Sequence, residues 1–330
     1  MDAVDHVVLG AGAVGMAVAE ALARRGESVR VVNRSGLRER MAGVQSLTGD
    51  VTDPAFAASA TRGARVVYQA LNPPYHRWAE EFPGLQAAAI AAAQSAGARL
   101  VVIDNVYLYG RPNGRPFTED RPADAHTRKG RVRAAMAGDL MAAHDDGRLE
   151  MTVGRASDFF GPRAGEQSLI GDWVIPPALG GKRASVMGDP DMRHTYTFIC
   201  DIGENLVRLG ERDDALGRVW HLPNPETRTT RDVVALVYQA AGNRPRLKVT
   251  PAWQMRALGL VNRTVREINE MRYEFDEPFI VDATRAETEL GLRATSLADA
   301  VEQTVRWYRT QASPSFAAGR NGKERIARAG

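Results

Sequence analysis

The feature that most constrains this chain is a glycine-rich pattern close to its first residue. The hexapeptide Gly10-Ala11-Gly12-Ala13-Val14-Gly15 reads G-x-G-x-x-G, follows an apolar run and opens a helical pattern. In such a strand–turn–helix unit the first glycine permits the tight turn, the second admits a pyrophosphate, and the third lets the helix pack on the strand. The helix N-terminus then holds the phosphate charge. We therefore predict a dinucleotide-binding unit whose cofactor contacts are Gly10, Gly12, Ala13, Val14 and Gly15.

Strands and helices alternate through the first half of the chain. Apolar runs, which predict strands, lie at 4–9, 28–32, 44–48, 65–71, 98–104 and 149–153. Helical patterns lie between them, at 13–25, 54–60, 84–96 and 123–146. Strands that are apolar on both faces and alternate with helices are typical of a parallel sheet covered on both sides. The predicted fold class is therefore α/β, a Rossmann doubly wound parallel sheet with a smaller C-terminal substrate-binding lobe.

The pattern changes in the second half, where glycines and prolines become frequent. We predict an NAD(P)-binding Rossmann domain over residues 1–155, with a brief return near 194–201, and a mainly substrate-binding lobe over residues 156–311. Helices are expected there at 201–212, 230–241 and 297–310. The segment 312–330 is predicted to be a disordered tail.

Composition and charge exclude several classes of protein. The 330 residues are 44% hydrophobic and 25% charged, a globular composition with ample material for a core. The single cysteine, Cys200, excludes a disulfide framework and suits a reducing, cytoplasmic compartment. We find no signal peptide and no apolar stretch of about 18 residues, so we expect no membrane association. The net charge of +3 comes from scattered charges, so we expect no nucleic-acid partner, and no metal-binding motif is present.

The end of the second predicted strand bears on the choice between NAD and NADP. An acid there would accept from the ribose 2′-hydroxyl of NAD and would repel the 2′-phosphate of NADP. The chain has Asn33, Arg34 and Ser35 at this place, and Arg34 could bind the phosphate by a charge-assisted contact. We therefore favour NADP(H) over NAD(H). The alternative for Arg34 is a solvated loop charge.

Two further segments are predicted to touch the cofactor. Asp50 and Val51 follow the third strand, where the carboxylate could accept from the adenine amino group while the valine packs on the ring. The alternative for Asp50 is a helix cap before Pro54. Ala70 and Asn72 end the fourth strand, close to the expected position of the second phosphate and ribose.

The chain resembles the extended short-chain dehydrogenases/reductases, the NAD(P)-dependent epimerase/dehydratase group. The resemblance covers roughly residues 4–311. Beside the glycine motif it rests on Gly49-Asp50-Val51-Thr52-Asp53, Leu108-Tyr109-Gly110, Phe117-Thr118-Glu119-Asp120, Gly154-Arg155, Phe160-Gly161-Pro162, Phe198 to Asp201 and Leu290-Gly291-Leu292. It implies a nicotinamide cofactor and catalysis by a Ser or Thr together with Tyr-x-x-x-Lys, whose lysine lowers the pKa of the tyrosine.

The chain departs from the catalytic pattern of this family. Aligned on Tyr109, the Ser/Thr position falls on Asn105, which can still hydrogen-bond a substrate oxygen. The helix that should carry Tyr-x-x-x-Lys has Lys129 and Arg133 at that spacing, on one helix face. The usual mechanism therefore cannot be transferred.

Two residues are candidates to replace the missing tyrosine. Tyr107 is the first, because strand alternation would put it on the same side as Asn105 and because dehydratase relatives carry an acid at this position. Nearby Lys129 and Arg133 would lower its pKa. Lys129 is the second candidate, as a proton donor if its own pKa falls beside Arg133, or as a cofactor ligand. The alternatives are that Tyr107 only packs under the lobe and that the two cations only bind phosphate or acids.

Other residues are weaker candidates. The resemblance implies that Ser157 and Phe159 lie near the nicotinamide carboxamide, with a purely structural role as the alternative. His194 and Tyr196 stand where relatives place substrate contacts, although a lone histidine is more often a packing residue. Three aromatic residues could line an apolar pocket or belong to the core: Tyr75, Trp78 and Trp173.

Three functions remain open from the sequence. The first is an NADP(H)-dependent oxidoreductase that reduces a carbonyl or conjugated enone of a small, largely apolar metabolite, with Tyr107 or Lys129 as the proton donor. The second is a nucleotide-sugar epimerase or dehydratase, against which the missing base counts. The third is a non-catalytic NADP-binding regulator. The predicted partner is a small-molecule substrate, and the long helices beside the sheet are compatible with a homodimer.

Overall fold

The computed structural model describes residues 4–37, 40–261 and 263–312. Its strands are β1 (His6–Leu9), β2 (Val29–Asn33), β3 (Val44–Thr48), β4 (Val66–Gln69), β5 (Arg99–Asn105), β6 (Met151–Ala156), β7 (Asp158–Phe160), β8 (Ala184–Met187), β9 (Arg193–His194), β10 (Tyr196–Phe198), β11 (Val219–His221), β12 (Arg228–Thr229) and β13 (Leu247–Thr250). Seven of them form a sheet in the order β11-β6-β5-β4-β1-β2-β3, and every neighbouring pair is parallel. The predicted α/β fold class is confirmed.

Helices follow most strands. They are α1 (Ala13–Arg24), α2 (Pro54–Thr61), α3 (Trp78–Ala96), α4 (Arg128–Asp145), α5 (Ile175–Leu179), α6 (Ile199–Gly210), α7 (Thr230–Ala241), α8 (Ala252–Val261), α9 (Arg263–Glu270), α10 (Thr284–Glu289) and α11 (Leu297–Ala312). Short 3-10 helices lie at Tyr75–Arg77, Tyr107–Tyr109, Gly165–Gln167, Asp213–Ala215 and Arg272–Phe275. Local chemistry sets several ends: α3 stops at Gly97 with a φ of +63°, and a capping box of Thr229 and Asp232 starts α7.

Two apolar layers cover the sheet. Side chains of α1 and α6 pack on one face with Val8 and Val31, while side chains of α2, α3 and α4 pack on the other with Val7 and Val32. Successive strand residues alternate between these layers, as a strand buried on both faces requires. This double covering brings the carboxyl ends of the parallel strands, and the loops that follow them, to one edge of the sheet.

The second half of the chain differs in part from the sequence prediction. The chain returns to the sheet through α6 and β11, further along than the predicted return near 194–201. The strand β11 has three residues, too few for a recognisable pattern. The lobe has its own core between α5, α7 and α11, with two-stranded pairings of β7 with β10, β8 with β13, and β9 with β12.

The helix predicted from residue 123 begins at Arg128. The Thr127 side chain accepts from the backbone N–H of Gly130, which caps the helix there. The predicted tail lies outside the described residues from 313 onward. Among the described helices, none combines the length and the apolar character that crossing a bilayer requires.

Gly203 stands where α6 crosses α1, and an added Cβ would lie 2.5 Å from the carbonyl carbon of Ala17. We expect Gly203→Ala to lower the free energy of unfolding by about 1–3 kcal/mol, because two packed backbones must separate. The control is Gly138→Ala in α4, where no atom lies within 4 Å of an added Cβ. That change should raise stability by about 0.5–1 kcal/mol. Urea unfolding measures both, and equal changes would contradict this packing account.

Candidate active site at the carboxyl edge of the sheet

Two glycines of the opening turn are required by the packing of the protein itself. Gly10 has a φ of +110°, and a Cβ added there would lie 2.5 Å from the carbonyl oxygen of Ala70. A Cβ on Gly15 would lie 2.1 Å from the carbonyl oxygen of Gly10. The turn therefore closes tightly on the ends of β1 and β4, with Ala70 against it.

Gly12 is different, because no atom lies within 4 Å of a Cβ added there. It precedes α1 without a side-chain cap, so the first backbone N–H groups of the helix, at Ala13, Val14 and Gly15, lack intrahelical acceptors. The packing of the protein therefore does not require a glycine at this position. A diphosphate that approaches the backbone closely would require one, and the free N–H groups at the helix N-terminus could bind it. The residues present therefore fit a bound dinucleotide.

The turn after β2 contains the residues predicted to choose between NAD and NADP. Asn33 Nδ2 donates to the carbonyl oxygen of Gly36 at 3.0 Å and to Ser35 Oγ at 3.3 Å, so this side chain stabilises the turn. Its Oδ1 is buried without a partner in the described structure. Arg34 is exposed next to it. The turn thus presents a cation and a hydroxyl where an NAD-specific site would present an acid.

Asp50 forms a turn of its own and does not cap a helix. Its Oδ1 accepts from the backbone N–H and the hydroxyl of Thr52, at 2.9 and 2.8 Å. These two bonds, and then the charge of nearby Arg34, hold the pKa of Asp50 below its ordinary range. The cap before Pro54 is Asp53, whose side chain accepts from two N–H groups of α2. The alternative of Asp50 as a helix cap is therefore wrong.

The remaining predicted cofactor residues differ in what their side chains can reach. Val51 is buried in the core, and Asn72 is exposed beyond the end of β4. Phe159 is half-buried and packs with residues of α1 beside the glycine turn, which places it near the expected cofactor. Ser157 Oγ donates to the carbonyl oxygen of Thr195 at 2.7 Å, so the serine hydroxyl already holds the lobe to β6.

The strand β5 ends at Asn105, and the chain then enters the 3-10 helix that contains Tyr107. Strand alternation therefore does not extend to Tyr107, and the argument that placed it on the side of Asn105 is wrong. Asn105 Oδ1 accepts from the backbone N–H of Tyr107 at 3.2 Å. This leaves the amide NH2 of Asn105 as its donor toward a substrate oxygen.

Tyr107 belongs to a pair of hydroxyls. Tyr75 and Tyr107 both lie against the ring of Trp78, with ring-centre distances of 5.0 and 5.9 Å, and we call them the hydroxyl pair. Burial raises the pKa of both, and the charge of Glu274 raises it further. The prediction that Lys129 and Arg133 lower the pKa of Tyr107 is wrong, because burial and nearby carboxylates outweigh the two cations. Tyr107 is therefore an uncharged hydroxyl that can donate a proton.

Lys129, at the position of the family tyrosine, is buried with 1% exposure. Its ammonium forms ion pairs with Glu267 and, at 2.8 Å, with Glu270, and it lies 4.5 Å from the ring centre of Tyr75. Burial alone would raise the pKa of Glu267, but bonds to Lys129 and to a neighbouring arginine lower it overall. Thus α9 supplies the counter-ions that allow a buried cation beside the hydroxyl pair.

Arg133 faces another part of the site, so the two cations do not act as one pair. Its guanidinium lies 3.4 Å from Asp104 Oδ1 and packs over the rings of Trp78 and Phe82. Asp104 also accepts from Arg155 at 3.0 Å through Oδ2. Arg133 is therefore bound by an acid of the protein itself.

A hydrogen-bonded chain continues from Arg155 to the edge of the sheet. Arg155 Nη1 donates to the hydroxyl oxygen of Tyr109 at 2.6 Å, and that hydroxyl lies 2.8 Å from His221 Nε2. His221 Nδ1 lies 2.9 Å from the carbonyl oxygen of Asp282, which only accepts, so the ring donates there and accepts from Tyr109. Burial, with the charge of Arg155, lowers the pKa of His221 to about 4. This network, with its neutral imidazole, joins β6, β11 and the lobe.

His194 is stacked between Phe275 and Phe279, with ring-centre distances of 4.8 and 5.0 Å. Its Nε2 lies 3.0 Å from Asp158 Oδ2, and its Nδ1 lies 3.2 Å from the carbonyl oxygen of Glu274. Both ring nitrogens thus face oxygen acceptors. The carbonyl oxygen of Glu274 can only accept, so Nδ1 donates to it.

The aromatic residues singled out by the sequence have separate locations. Trp78 is buried in an aromatic cluster under the hydroxyl pair. Tyr75, one member of that pair, packs on its ring. Trp173 is 53% exposed on the surface of the lobe. Tyr196 is buried, with its hydroxyl 2.8 Å from Thr230 Oγ1. Of these four side chains, Tyr75 and Trp78 contact cations of the candidate site, namely Lys129 and Arg133.

Sequence reasoning missed the acids of this site, which are Asp104, Asp158, Glu267, Glu270 and Glu274. One signal was present, because Glu274 stands between Tyr273 and Phe275, and an acid between two inward-packing aromatic residues is carried inward with them. No comparable signal marks Glu267 or Glu270, which lie in a helix rich in charged residues.

Among the described residues, neither metal ligands nor cavities give a better candidate for the reaction centre. Within the described residues, no group of three or more His, Cys, Asp or Glu side chains could hold a metal ion. Two cavities of about 290 Å³ each lie away from the glycine turn, one between α7 and α11 and one beside residues 280–287. The candidate site therefore remains the edge where the glycine turn, β5 and β6 meet.

Several solved structures have this fold. The dTDP-glucose 4,6-dehydratase of Bacillus anthracis, solved with NAD, has a TM-score of 0.77 and 14% identity over 94% of this chain and 98% of its own. The UDP-glucose 4-epimerase of Thermotoga maritima, solved with UDP-glucose, has a TM-score of 0.75 and 18% identity, over 93% of this chain and 99% of its own. The UDP-glucose 4-epimerase of Thermus thermophilus, solved with NAD, has a TM-score of 0.73 and 20% identity, over 92% of this chain and 99% of its own. No curated protein matches the chain significantly in sequence.

The family comparison covers most of the chain. The model of the NAD-dependent epimerase/dehydratase family matches residues 6–222. This range contains the glycine turn, all seven strands of the central sheet and the hydroxyl pair. The chain therefore belongs to the NAD-dependent epimerase/dehydratase family.

Proposed function

We propose that this chain is an NADP(H)-dependent oxidoreductase that acts on a nucleotide-linked sugar and reduces a ketone on it. The observation that carries this proposal is the uncharged hydroxyl of Tyr107, in the 3-10 helix that follows β5 and next to Asn105. A bound nicotinamide would supply the hydride. The protein supplies the proton, which Tyr107 donates to the substrate oxygen while the amide NH2 of Asn105 holds the same oxygen.

The charge state of the site supports the reductive direction. Oxidation of a sugar hydroxyl needs a group that has already lost its proton, and the raised pKa keeps Tyr107 protonated near neutral pH. Lys129 is engaged by two carboxylates and is not available as a base. Reduction needs only a donor, which Tyr107 can be.

The similar structures support a nucleotide-linked sugar as the substrate class. They act on dTDP-glucose or UDP-glucose by their names, and they cover nearly all of this chain. This proposal replaces the small, largely apolar metabolite expected from the sequence. NADP(H) is proposed over NAD(H) because the turn after β2 presents Arg34 and Ser35 and no acid.

A second candidate is a redox-neutral epimerase or dehydratase of a nucleotide sugar. The family match and the names of the similar structures favour it. Such an enzyme would return the hydride to its own substrate in each cycle and consume no dinucleotide. Net consumption of NADPH therefore separates the two candidates.

We expect the protein to oxidise NADPH when it is offered a thymidine or uridine diphosphate 4-ketosugar. Tyr107→Phe should lower kcat by about 100-fold and leave KM nearly unchanged, because the ring packing stays while the proton is lost. Absorbance of NADPH measures the rate.

The control for this assay is Tyr196→Phe, which removes a buried hydroxyl from the lobe core. It should leave kcat within about twofold. Interconversion of nucleotide sugars without net NADPH consumption would contradict the reductive proposal in favour of the second candidate. Tight NADPH binding without any turnover would favour the non-catalytic regulator.

Gly12→Ala should weaken dinucleotide binding by at least about tenfold, about 1.4 kcal/mol, because the new methyl group occupies the space that fits the diphosphate. Unfolding stability should stay nearly the same, since no protein atom lies near the added Cβ. Calorimetric titration and thermal unfolding measure these two effects. Gly15→Ala is the contrast, because its Cβ would meet backbone and should destabilise the fold.

Arg34→Ala should weaken NADPH binding by about tenfold and change NADH binding little, because only NADPH carries the 2′-phosphate. Titration of both dinucleotides against wild type and variant measures the difference. Equal affinities for NADPH and NADH in the wild type, unchanged in the variant, would show that the phosphate assignment is wrong.

A further inference from the structure

The helix α8 turns its large apolar side chains outward. Trp253, Leu260 and Val261 are 67, 83 and 86% exposed, and Arg256 and Ala257 are exposed with them. These five positions follow the spacing i, i+3, i+4, i+7, i+8, so they share one side of the helix, and we call them the α8 face. A surface helix normally turns such an apolar stripe toward the core. An exposed stripe is typical of an interaction surface.

The opposite side of α8 is held by α9. Asn269 Nδ2 donates to the carbonyl oxygen of Met255 at 2.7 Å, and a Cβ added to the buried Gly259 would lie 2.8 Å from the same nitrogen. The helix α9 is in turn tied to α4, because Glu267 forms an ion pair with Lys129. The inner side of α8 is therefore packed, and its apolar face is the side left over.

The α8 face lies in a basic part of the chain. Residues 233–266 include six Arg or Lys and no Asp or Glu. Arg244, Arg246 and Lys248 are exposed in and before β13, which the single residue Pro251 joins to α8. Together with Arg256 and Arg266 they form no ion pair with any described acid. The apolar stripe thus has cations within it and beside it, and their charge is not compensated by the described chain.

This combination favours one kind of partner. A second copy of the chain, docked through the same face, would bring two sets of cations together, which opposes association. A bilayer that contains anionic lipids offers an apolar boundary for Trp253, Leu260 and Val261 and phosphates for the basic side chains. Tryptophan is also enriched at the level of the lipid headgroups.

We propose that the α8 face docks this protein on the surface of a bilayer that contains anionic lipids, with α8 lying along the interface. The expectation of no membrane association rested on the lack of an apolar stretch long enough to span a bilayer. A helix that lies on the surface needs no such stretch. The proposal is independent of the proposed function, because the α8 face includes no residue of the candidate active site.

The first test measures cosedimentation of the full chain with vesicles. One set is phosphatidylcholine alone, and the other has equal amounts of phosphatidylcholine and phosphatidylglycerol. We expect at least about tenfold stronger binding to the anionic set, weakened by added salt. The double variant Leu260→Ser, Val261→Ser should lower that binding by at least about tenfold. Its thermal unfolding should match the wild type, because both side chains are exposed.

The charged part of the face has a matched control. Arg256→Gln should weaken binding to the anionic vesicles by about fivefold, the contribution of one basic residue near such a surface. Arg293 is also exposed without an ion pair to a described acid, but its carbonyl oxygen accepts from Asn205 of α6, which packs on the central sheet. Arg293→Gln should therefore change binding by less than about twofold. Equal losses in the two variants would show attraction by net charge alone and would overturn the proposal.

Tryptophan emission locates the contact. Trp253 should move from water into the lipid interface, which shifts its emission to shorter wavelength when anionic vesicles are added. Trp253→Phe should remove most of this shift. Trp173→Phe is the control, because Trp173 is exposed on the lobe outside the α8 face, and the shift should remain. A shift that disappears only in Trp173→Phe would place the contact on another surface and contradict the assignment to α8.

Two further results would assign the face to another partner. If the protein binds neither vesicle set and is retained on immobilised polyglutamate through Leu260 and Val261, an acidic protein occupies the face and the membrane proposal is wrong. If sedimentation velocity shows a dimer that the double variant converts to a monomer, the face joins two copies of the chain, which also overturns it. Absence of binding to all of these probes overturns it as well.

Discussion

Asp104 lies at the carboxyl end of β5, where two buried arginines from different elements meet. Arg155 comes from β6 and Arg133 from α4, and each contacts one oxygen of the same carboxylate. Removal of the acid would leave two buried guanidinium groups without a counter-ion, a far greater loss than that of a surface ion pair. Through Arg155 the contact continues to Tyr109 and His221, so one carboxylate aligns α4, β5, β6 and β11. The candidate site is built on this alignment.

The parts of the fold that the sequence predicts well are those with local causes. Glycine turns, apolar runs and helix caps depend on neighbouring residues, so β3 at 44–48 and α7 at 230–241 match their predicted ranges. The three-residue strand β11 has no local pattern and is held by its parallel pairing with β6. The start of α4 was missed for a related reason, since a single threonine cap outweighs the helical pattern before it.

In the candidate site, too, features with local causes were predicted from the sequence, and contacts between distant parts of the chain were not. The strand, glycine turn and helix predicted from the sequence are present, because the glycines act through backbone shape alone, and phosphate binding there stays a prediction. The pKa of Tyr107 was predicted in the wrong direction, since its neighbours in space include Glu274 and Asp158, which are distant in the sequence. Lys129 was recognised as a replacement for a tyrosine. Its counter-ions on α9 could be found only from the fold.

The acids of the site differ in whether a basic side chain contacts them. Asp104 contacts two arginines, Asp158 contacts His194, and the two glutamates of α9 contact Lys129. Among these described acids, Glu274 alone is buried without a cation. The other acids each face a basic side chain, whereas burial without one raises the pKa of Glu274. The raised pKa values of Tyr107 and Glu274 favour their protonated forms, which supports the proposed reductive step in a chain that lacks the family's tyrosine–lysine pair.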